Sequence, residues 1–309
     1  MNRVVKGFWL SALCLWGLLT SVSASAVEFA QRADLQVRLD DRSARDLRYQ
    51  YRVRYYPELS LSPQWSVQGF LVTGDEFGSS HNTFDDGAAD YFYPRRLYLR
   101  HQAQYGKTEV GVIPTYKGAV SASGLSKDGW IQGVRHVRKI RSADRLEVVI
   151  GELNSIDPAR ALRAPGHLDY FELEYSASLS EQTGVEGSLE RMTGANFARA
   201  EVRQSIAGGA EVFSELVVKL DDRKLKFVLG TQLPLVLFNQ PAELAAHYAY
   251  VSEDLGLRAE LTEDFLGTGH AMTAELSGDF SAPRWAWFAR FDATESRQRF
   301  LLGIKWSLR

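Results

Sequence analysis

The sequence predicts an all-β fold: a transmembrane antiparallel β-barrel of about 16 strands, with roughly 14 to 18 as the bounds. Three observations predict it. In Arg48-Tyr49-Gln50-Tyr51-Arg52-Val53-Arg54-Tyr55 every even position is Arg or Gln and every odd one is aromatic or branched. A strand sorts these into a charged face and a greasy face, whereas a helix would mix them around its circumference. The chain is 45% hydrophobic with 36 aromatic residues, yet beyond its start it has no apolar run of the roughly 20 residues a spanning helix needs. Short two-faced segments instead recur along its length, which is how a membrane barrel conceals its apolar surface from hydropathy.

The start reads as a secretory signal over residues 1–26. Arg3 and Lys6 precede an apolar run at 7–20, and Ala24-Ser25-Ala26 gives the small-x-small pattern for cleavage near Ala26. Residues 27–309 then form one barrel domain. Cys14, the one cysteine, lies inside the apolar run, so no disulfide or thiolate chemistry is expected of the mature chain. Losing the signal lowers the 36 basic residues by two, to 34, against 38 acidic ones, a formal charge of −4. Nothing in that balance points to nucleic acid.

Taken in order, Leu35, Val37 and Leu39 alternate with Gln36, Arg38 and Asp40 in a first strand, and 41–44 turns into the 48–55 stretch, which Pro57 should end. Trp65 and Val67 against Ser66 and Gln68 begin a third strand that runs out at Gly74. Residues 74–90, rich in Gly, Ser, Asn and acids, read as a long exposed loop. Arg96, Tyr98, Arg100 and Gln102 alternate with Leu97, Leu99, His101 and Ala103, and Tyr105-Gly106-Lys107 turns into Val110 and Val112. A second long loop at 114–128 precedes a strand at 130–140 with weaker alternation, then Leu146, Val148 and Ile150. Residues 155–166, with two prolines, form a third long connection holding a short helix near 159–163. Phe171, Leu173 and Tyr175 oppose Glu172, Glu174 and Ser176. Further strands fall at 183–191, 197–206, 210–220, 225–233, 244–252, 255–262, 271–277, 285–291 and 300–308. That makes about 17 segments; bacterial single-chain barrels have even strand numbers, so one is surplus and about 16 is the expected number.

Strand number decides which face is wet. A barrel of about eight strands is filled by its own side chains, whereas twice that number encloses a void that must hold water. The polar set therefore points inward and the apolar set meets lipid. The inward charges separate by sign. Arg38, Arg48, Arg52, Arg54, Arg96 and Arg100 lie on early strands, and Glu147, Glu172, Glu174, Glu186, Glu190, Glu211 and Glu215 on middle ones, with Arg199, Arg203 and Arg258 blurring the division. An Arg-rich wall would oppose a Glu-rich one, and in a narrow passage such a field sorts solutes by charge. Trp65, Trp130, Trp285, Trp287 and Trp306 suit interfacial girdles. Lys117, Lys127 and Asp128, in the loop after the fifth strand, are candidates for a constriction if that loop folds inward. Asp75, Glu76, Asp85, Asp86 and Asp90 lack regular ligand spacing and read as a solvated acidic loop; no metal or cofactor is expected.

In the last strand, Gly303, Trp306 and Leu308 have the spacing of the carboxy-terminal targeting strand of outer-membrane barrels, although Leu301 stands where a polar residue is usual and the chain ends Leu308-Arg309. With the Tyr/Arg-alternating early strand, the Trp-containing third strand and the Gly-Ser-Asn loop that succeed one another over 48–84, the chain resembles bacterial outer-membrane porins. The resemblance implies residence in a Gram-negative outer membrane, contact with its lipid, insertion by the barrel-assembly machinery through the last strand, passive diffusion of small hydrophilic or charged solutes, and the homotrimeric assembly many porins adopt. The alternatives are a non-conducting barrel serving assembly, export or adhesion, and a soluble periplasmic binding protein. No enzyme is expected. None of the six histidines has Ser two positions on, His167-x-Asp169 reverses the Asp-x-His order of omptin-type proteases, and there is no Gly-x-Ser-x-Gly elbow or His-Glu-x-x-His helix. Glu172 and Glu174 share a face, as lumen acids routinely do.

Overall fold

The structure is a computed structural model that describes residues 27–74, 81–86, 91–114, 130–141, 143–153, 163–192, 194–256 and 267–308. Sixteen long strands and one two-residue strand make a single antiparallel sheet. They are β1 (Glu28–Arg42), β2 (Arg48–Ser60), β3 (Trp65–Gly74), β4 (Asn82–Thr83), β5 (Tyr91–Ala103), β6 (Gly106–Pro114), β7 (Trp130–Lys139), β8 (Arg145–Leu153), β9 (Tyr170–Ser178), β10 (Thr183–Met192), β11 (Ala195–Ser205), β12 (Glu211–Lys219), β13 (Lys224–Leu237), β14 (Gln240–Val251), β15 (Gly269–Asp279), β16 (Trp285–Thr294) and β17 (Gln298–Leu308). The sheet closes on itself. One edge of β1 pairs with β17 from Ala33↔Leu308 to Arg42↔Arg299, and the other with β2 from Glu28↔Ser60 to Asp40↔Arg48. Closure leaves no free edge in the wall, the condition for strands to sit in hydrocarbon.

Short turns lie at one end of the barrel: 61–64, 104–105, 140–144, 179–182, 206–210, 238–239 and 280–284. The longer connections after β3, β6, β8 and β14 all lie at the other. Transmembrane barrels share this asymmetry.

The strands sort as the alternation requires. Leu35, Tyr49, Leu97, Leu99, Val134, Ile150, Phe171, Leu173, Leu216, Leu229, Leu302 and Ile304 are exposed, while Asp34, Asp40, Gln50, Glu109, Arg135, Glu172, Arg199, Glu201, Glu215 and Asp292 are buried. This inverts the arrangement of a soluble protein.

Three expectations need correction, and one irregularity was not foreseen. Of the segment expected as a strand at 255–262, Leu255 and Gly256 lie outside any strand and 257–262 lie outside the described residues; β14 ends at Val251 and pairs directly with β15, so no further wall strand stands between those two. The weakly alternating 130–140 does form β7. Pro57 does not end β2. It pairs with Gln31 on the β1 side, while the ladder to β3 passes from Tyr55↔Leu71 to Glu58↔Gln68. Proline has no N–H to give that edge, and Gly69 leaves room for its ring: a Cβ at 69 would lie 2.7 Å from Pro57 Cγ. The register of β3 with β5 slips between Phe70 and Leu71, so Arg95 is the extra residue of a bulge and is fully buried. Finally, 74–90 is not wholly an exposed loop. Asn82 and Thr83 return as β4 beside Tyr51 and Gln50 of β2 and are buried. The short helix near 159–163 falls almost wholly outside the described residues.

Candidate functional site: the inner wall

The seam of the barrel is basic on its inner side. Every second residue of β1 and β2 points inward, so the register stacks Asp40 with Arg48, Arg38 with Gln50, Gln36 with Arg52 and Asp34 with Arg54, in rungs about 7 Å apart. Arg42 Nε and Arg48 reach Asp40 at 2.9 and 2.8 Å, and Arg38 Nε donates to Gln50 Oε1 at 2.9 Å. Arg52 donates to Gln36, and Arg54 stands 3.3 Å from Asp34, which also accepts from Ser307 Oγ at 2.8 Å. On the adjoining strands Arg299 and Arg290 share Asp292, at 2.7 and 2.8 Å, and Thr273 Oγ1 donates to the same carboxylate. Lower on this wall Tyr56 and Phe70 stack with centroids 4.8 Å apart. Arg32 covers the free face of Tyr56 at 4.1 Å, and Arg96 lies 4.9 Å from the Phe70 centroid. Such contacts hold a guanidinium against a wall without neutralising it.

Farther round the ring, several acids gather about one buried cation. Eight steps round the sixteen long strands carry β2 to β11. There Arg199, fully buried, meets Glu215 at 2.7 Å, Glu186 at 3.0 Å, Glu174 at 3.3 Å and also Glu201, and Arg203 pairs with Glu201 and Glu186. Glu172 accepts from Tyr170 at 2.9 Å and Glu190 from Ser188 at 2.8 Å. Glu211 lies on the same inner face, close enough to Arg203 to act on it electrostatically. Between the two walls, Glu109 takes Arg100 at 2.9 Å, Lys107 at 3.0 Å and Arg135 at 3.2 Å, and Arg135 also holds Glu147 at 2.8 Å.

All thirteen acids and bases assigned to the two walls from the sequence lie on this inner face. Arg38, Arg48, Arg52 and Arg54 fall together at the seam. Arg96 joins them through Phe70, whereas Arg100 belongs to the mixed cluster on Glu109. Glu174, Glu186 and Glu215 converge on Arg199. Sequence reasoning missed Asp34, Asp40, Asp292 and Arg299 at the seam, and Glu109, Arg135 and Glu201 elsewhere. Their position parity along each strand was the available signal. Arg199, read as blurring the division, is the centre of the acidic cluster. Arg258, Lys117, Lys127 and Asp128 lie outside the described residues.

The inner face is not polar throughout. Towards the long-loop end Ile113, Ile131, Val149, Tyr170, Met192, Phe197 and Val217 are buried in one cluster, joined by Leu255 beyond β14. Outside, Trp65, Trp285, Trp287 and Trp306 all lie near the short-turn end, with Trp285 and Trp306 paired at 6.1 Å between centroids. Among the described residues, no group of three or more His, Cys, Asp or Glu could hold a metal ion. Asp85 is exposed.

His81, just before β4, faces the seam. Its Nε2 is buried, and burial together with the positive charges of Arg52, Arg38, Arg54 and Arg299 holds its pKa well below the usual imidazole value.

A closed sixteen-strand antiparallel barrel with an apolar outside and a charged inside has the architecture of a transmembrane β-barrel. Solved structures share its fold. A triple variant of Rhodopseudomonas blastica porin aligns over 91% of this chain and 100% of its own, with a TM-score of 0.62 and 10% identity. A second Rh. blastica porin variant aligns over the same shares at 0.63 and 10%, and a protein described under asymmetric conductivity of engineered proteins does so at 0.62 and 10%. At that identity the likeness is one of fold. No family model and no curated protein sequence matches the chain.

Proposed function

We propose that this protein is a passive diffusion channel of a Gram-negative outer membrane, exported by its signal and open to small hydrophilic or charged solutes. The observation that carries the reading is the inversion of faces: apolar side chains on the exposed outside and ion pairs on the inside of a ring too wide for side chains to fill. The outer leucines, valines and aromatics meet hydrocarbon, and Trp65, Trp285, Trp287 and Trp306 anchor one interface. The inner charges face water. Arg38, Arg48, Arg52, Arg54 and Arg96 form a wall of positive potential, and Glu172, Glu174, Glu186, Glu211 and Glu215 an opposing negative one, so a solute crosses a transverse field. Arg100 and Glu147 line the flank between them. The last strand, through Gly303, Trp306 and Leu308, is the element the assembly machinery reads.

Purified protein added to a planar bilayer is expected to give stepwise conductance, and a protein that inserts yet stays silent would refute the channel. One observation favours a non-conducting barrel as the second reading: Ile113, Ile131, Val149 and Phe197 are inward, apolar and buried. An occluded lumen predicts insertion without conductance, which the same recording separates.

A further inference from the structure

The short turns share a feature that the channel does not need. Just past the end of the strand that runs into each of them, the next outward position holds a large apolar residue: Leu61, Tyr105, Ile140, Leu179, Ile206 and Phe280. The backbone N–H groups of Leu61, Ile140, Leu179 and Ile206 donate to the carbonyls of Trp65, Asp144, Thr183 and Ala210. Each residue thus keeps the parity of its strand, and its side chain falls on the outer face. All are exposed, Tyr105 by 67% and Leu179 by 69%, and at the seam Phe29 and Leu308 are exposed on the same face.

The β13–β14 hairpin carries this furthest. Beyond Gln232, which lies opposite Glu211 of β12, β13 continues to Leu237 with β14 as its strand partner. No residue from Phe227 to Ala242 is charged. Leu233, Leu235 and Leu237 share the outer face of Leu229, while Pro234 and the 75% exposed Val236 stand on the other, so the tip is apolar on both sides. Phe238 turns the chain at φ 52°, a conformation that suits Gly or Asn and strains a bulky residue. With its ring 96% exposed, almost nothing in the chain offsets that strain.

We propose that the short-turn rim is an apolar collar that docks into phospholipid, with the tip of the β13–β14 hairpin as its main anchor. The occupant is the leaflet at that end of the barrel, and the collar extends the outer face beyond the strands themselves. Three observations favour lipid over a protein. The apolar positions recur at every short turn, and a protein partner would cover one sector of the rim, whereas a leaflet surrounds it. They continue the apolar outer wall without a break, as Leu229, Leu233, Leu235 and Leu237 do along β13. Ile140 is flanked by the exposed Lys139 and Arg141, the pairing of apolar body and cationic tip that suits a headgroup boundary. Pro234 and Pro241 give the projecting hairpin no N–H at those positions, which disfavours the addition of a partner strand. The collar rests on the reading that the outer wall meets lipid.

The test places single cysteines in the full mature protein, whose sequence beyond the expected signal has none. Leu179→Cys and Phe238→Cys report on the collar. Glu181→Cys, exposed in the same turn as Leu179, reports on water, and Val53→Cys on the wall. Each is labelled in urea with a polarity-sensitive nitrobenzoxadiazole, refolded into detergent, checked for folding on an unheated gel, and reconstituted into phosphatidylcholine vesicles with or without a nitroxide on the acyl chain. The expected result at 179 and 238 is blue-shifted emission that loses most of its intensity to the nitroxide lipid, with neither effect at 181. Emission at 179 and 238 matching that at 181 would overturn the collar and leave the rim to a protein partner, since the vesicles hold only lipid and this chain. Quenching at 238 without quenching at 179 would overturn the ring. Quenching at 53 with none at 179 and 238 would remove the collar alone, while no quenching at 53 would remove the lipid-facing exterior on which it rests.

Discussion

Replacing Arg199 by Met tests whether the acidic wall is held together as the geometry implies. Arg199 is fully buried and touches Glu174, Glu186, Glu201 and Glu215. Arg203 still reaches Glu186 and Glu201 after the substitution, so the loss falls most heavily on Glu215, whose side chain is 1% exposed and which, among the described residues, pairs with Arg199 alone. Stranding a buried charge in this way costs about 3–5 kcal/mol, more than the pair contributes relative to an apolar replacement. Neutralising the stranded acid should recover part of that, so Arg199→Met/Glu215→Gln should be more stable than Arg199→Met by about 1–3 kcal/mol. Urea unfolding of the barrel in lipid vesicles, followed by tryptophan fluorescence, reads both numbers. A cost below about 1 kcal/mol for the single variant, or no recovery in the double, would mean that water rather than Arg199 satisfies these carboxylates.

Other outcomes follow from the same structure. Arg52→Glu/Arg96→Glu should move the reversal potential under a salt gradient towards cation preference, and an unchanged potential would remove both residues from the conducting path. Leu229→Arg, on the outer face of β13 and 52% exposed, should cost about 2–4 kcal/mol in lipid-vesicle unfolding if that face meets the bilayer centre, and near nothing if it meets water. Gly133→Ala places a Cβ 2.1 Å from the Ile150 carbonyl oxygen and should cost about 1–3 kcal/mol or block assembly, read as the folded fraction on an unheated gel. In the β12–β13 turn, hydrogen bonds from the Asn196 backbone N–H and side-chain amide hold the Asp221 carboxyl below its ordinary 3.8. A lowered folded value means the tie is complete above pH 3.8 and lost as pH falls through that lowered value. Exchange of the Asn196 amide should therefore quicken at acid pH in the parent and be insensitive to pH in Asp221→Asn beyond intrinsic exchange.

Alternation made most of the wall legible. At 48–55 the sequence separates Arg48, Gln50, Arg52 and Arg54 from Tyr49, Tyr51 and Tyr55 without ambiguity, because a period of two leaves only one way to face lipid. The same logic failed where geometry departs from a regular pleat. The bulge at Arg95 shifts which residues of β5 share a face, and no local signal announces it. Pro57 looked like a stop because its tolerance depends on Gly69, a residue on another strand. Leu255 continues an apolar rhythm but sits beyond the end of β14. The candidate site was legible residue by residue and not as pairs. Which glutamate meets Arg199, or which aspartate answers Arg48, is set by register across strands, and register is long-range information. The return of residues 81–83 to β2 was hidden for the same reason, since a Gly- and Asn-rich stretch reads as solvated until the partner edge is known.

Neighbouring positions on one strand give the most direct test of a hydrated interior inside an oily exterior. The chain's one cysteine is Cys14, within the expected signal, so Arg52→Cys and Val53→Cys each add a lone thiol to the mature protein. After reconstitution into lipid vesicles, a charged, membrane-impermeant maleimide should label position 52 readily and leave position 53 untouched. Equal labelling of both, or labelling of 53 alone, would contradict a water-filled barrel whose arginines face inward.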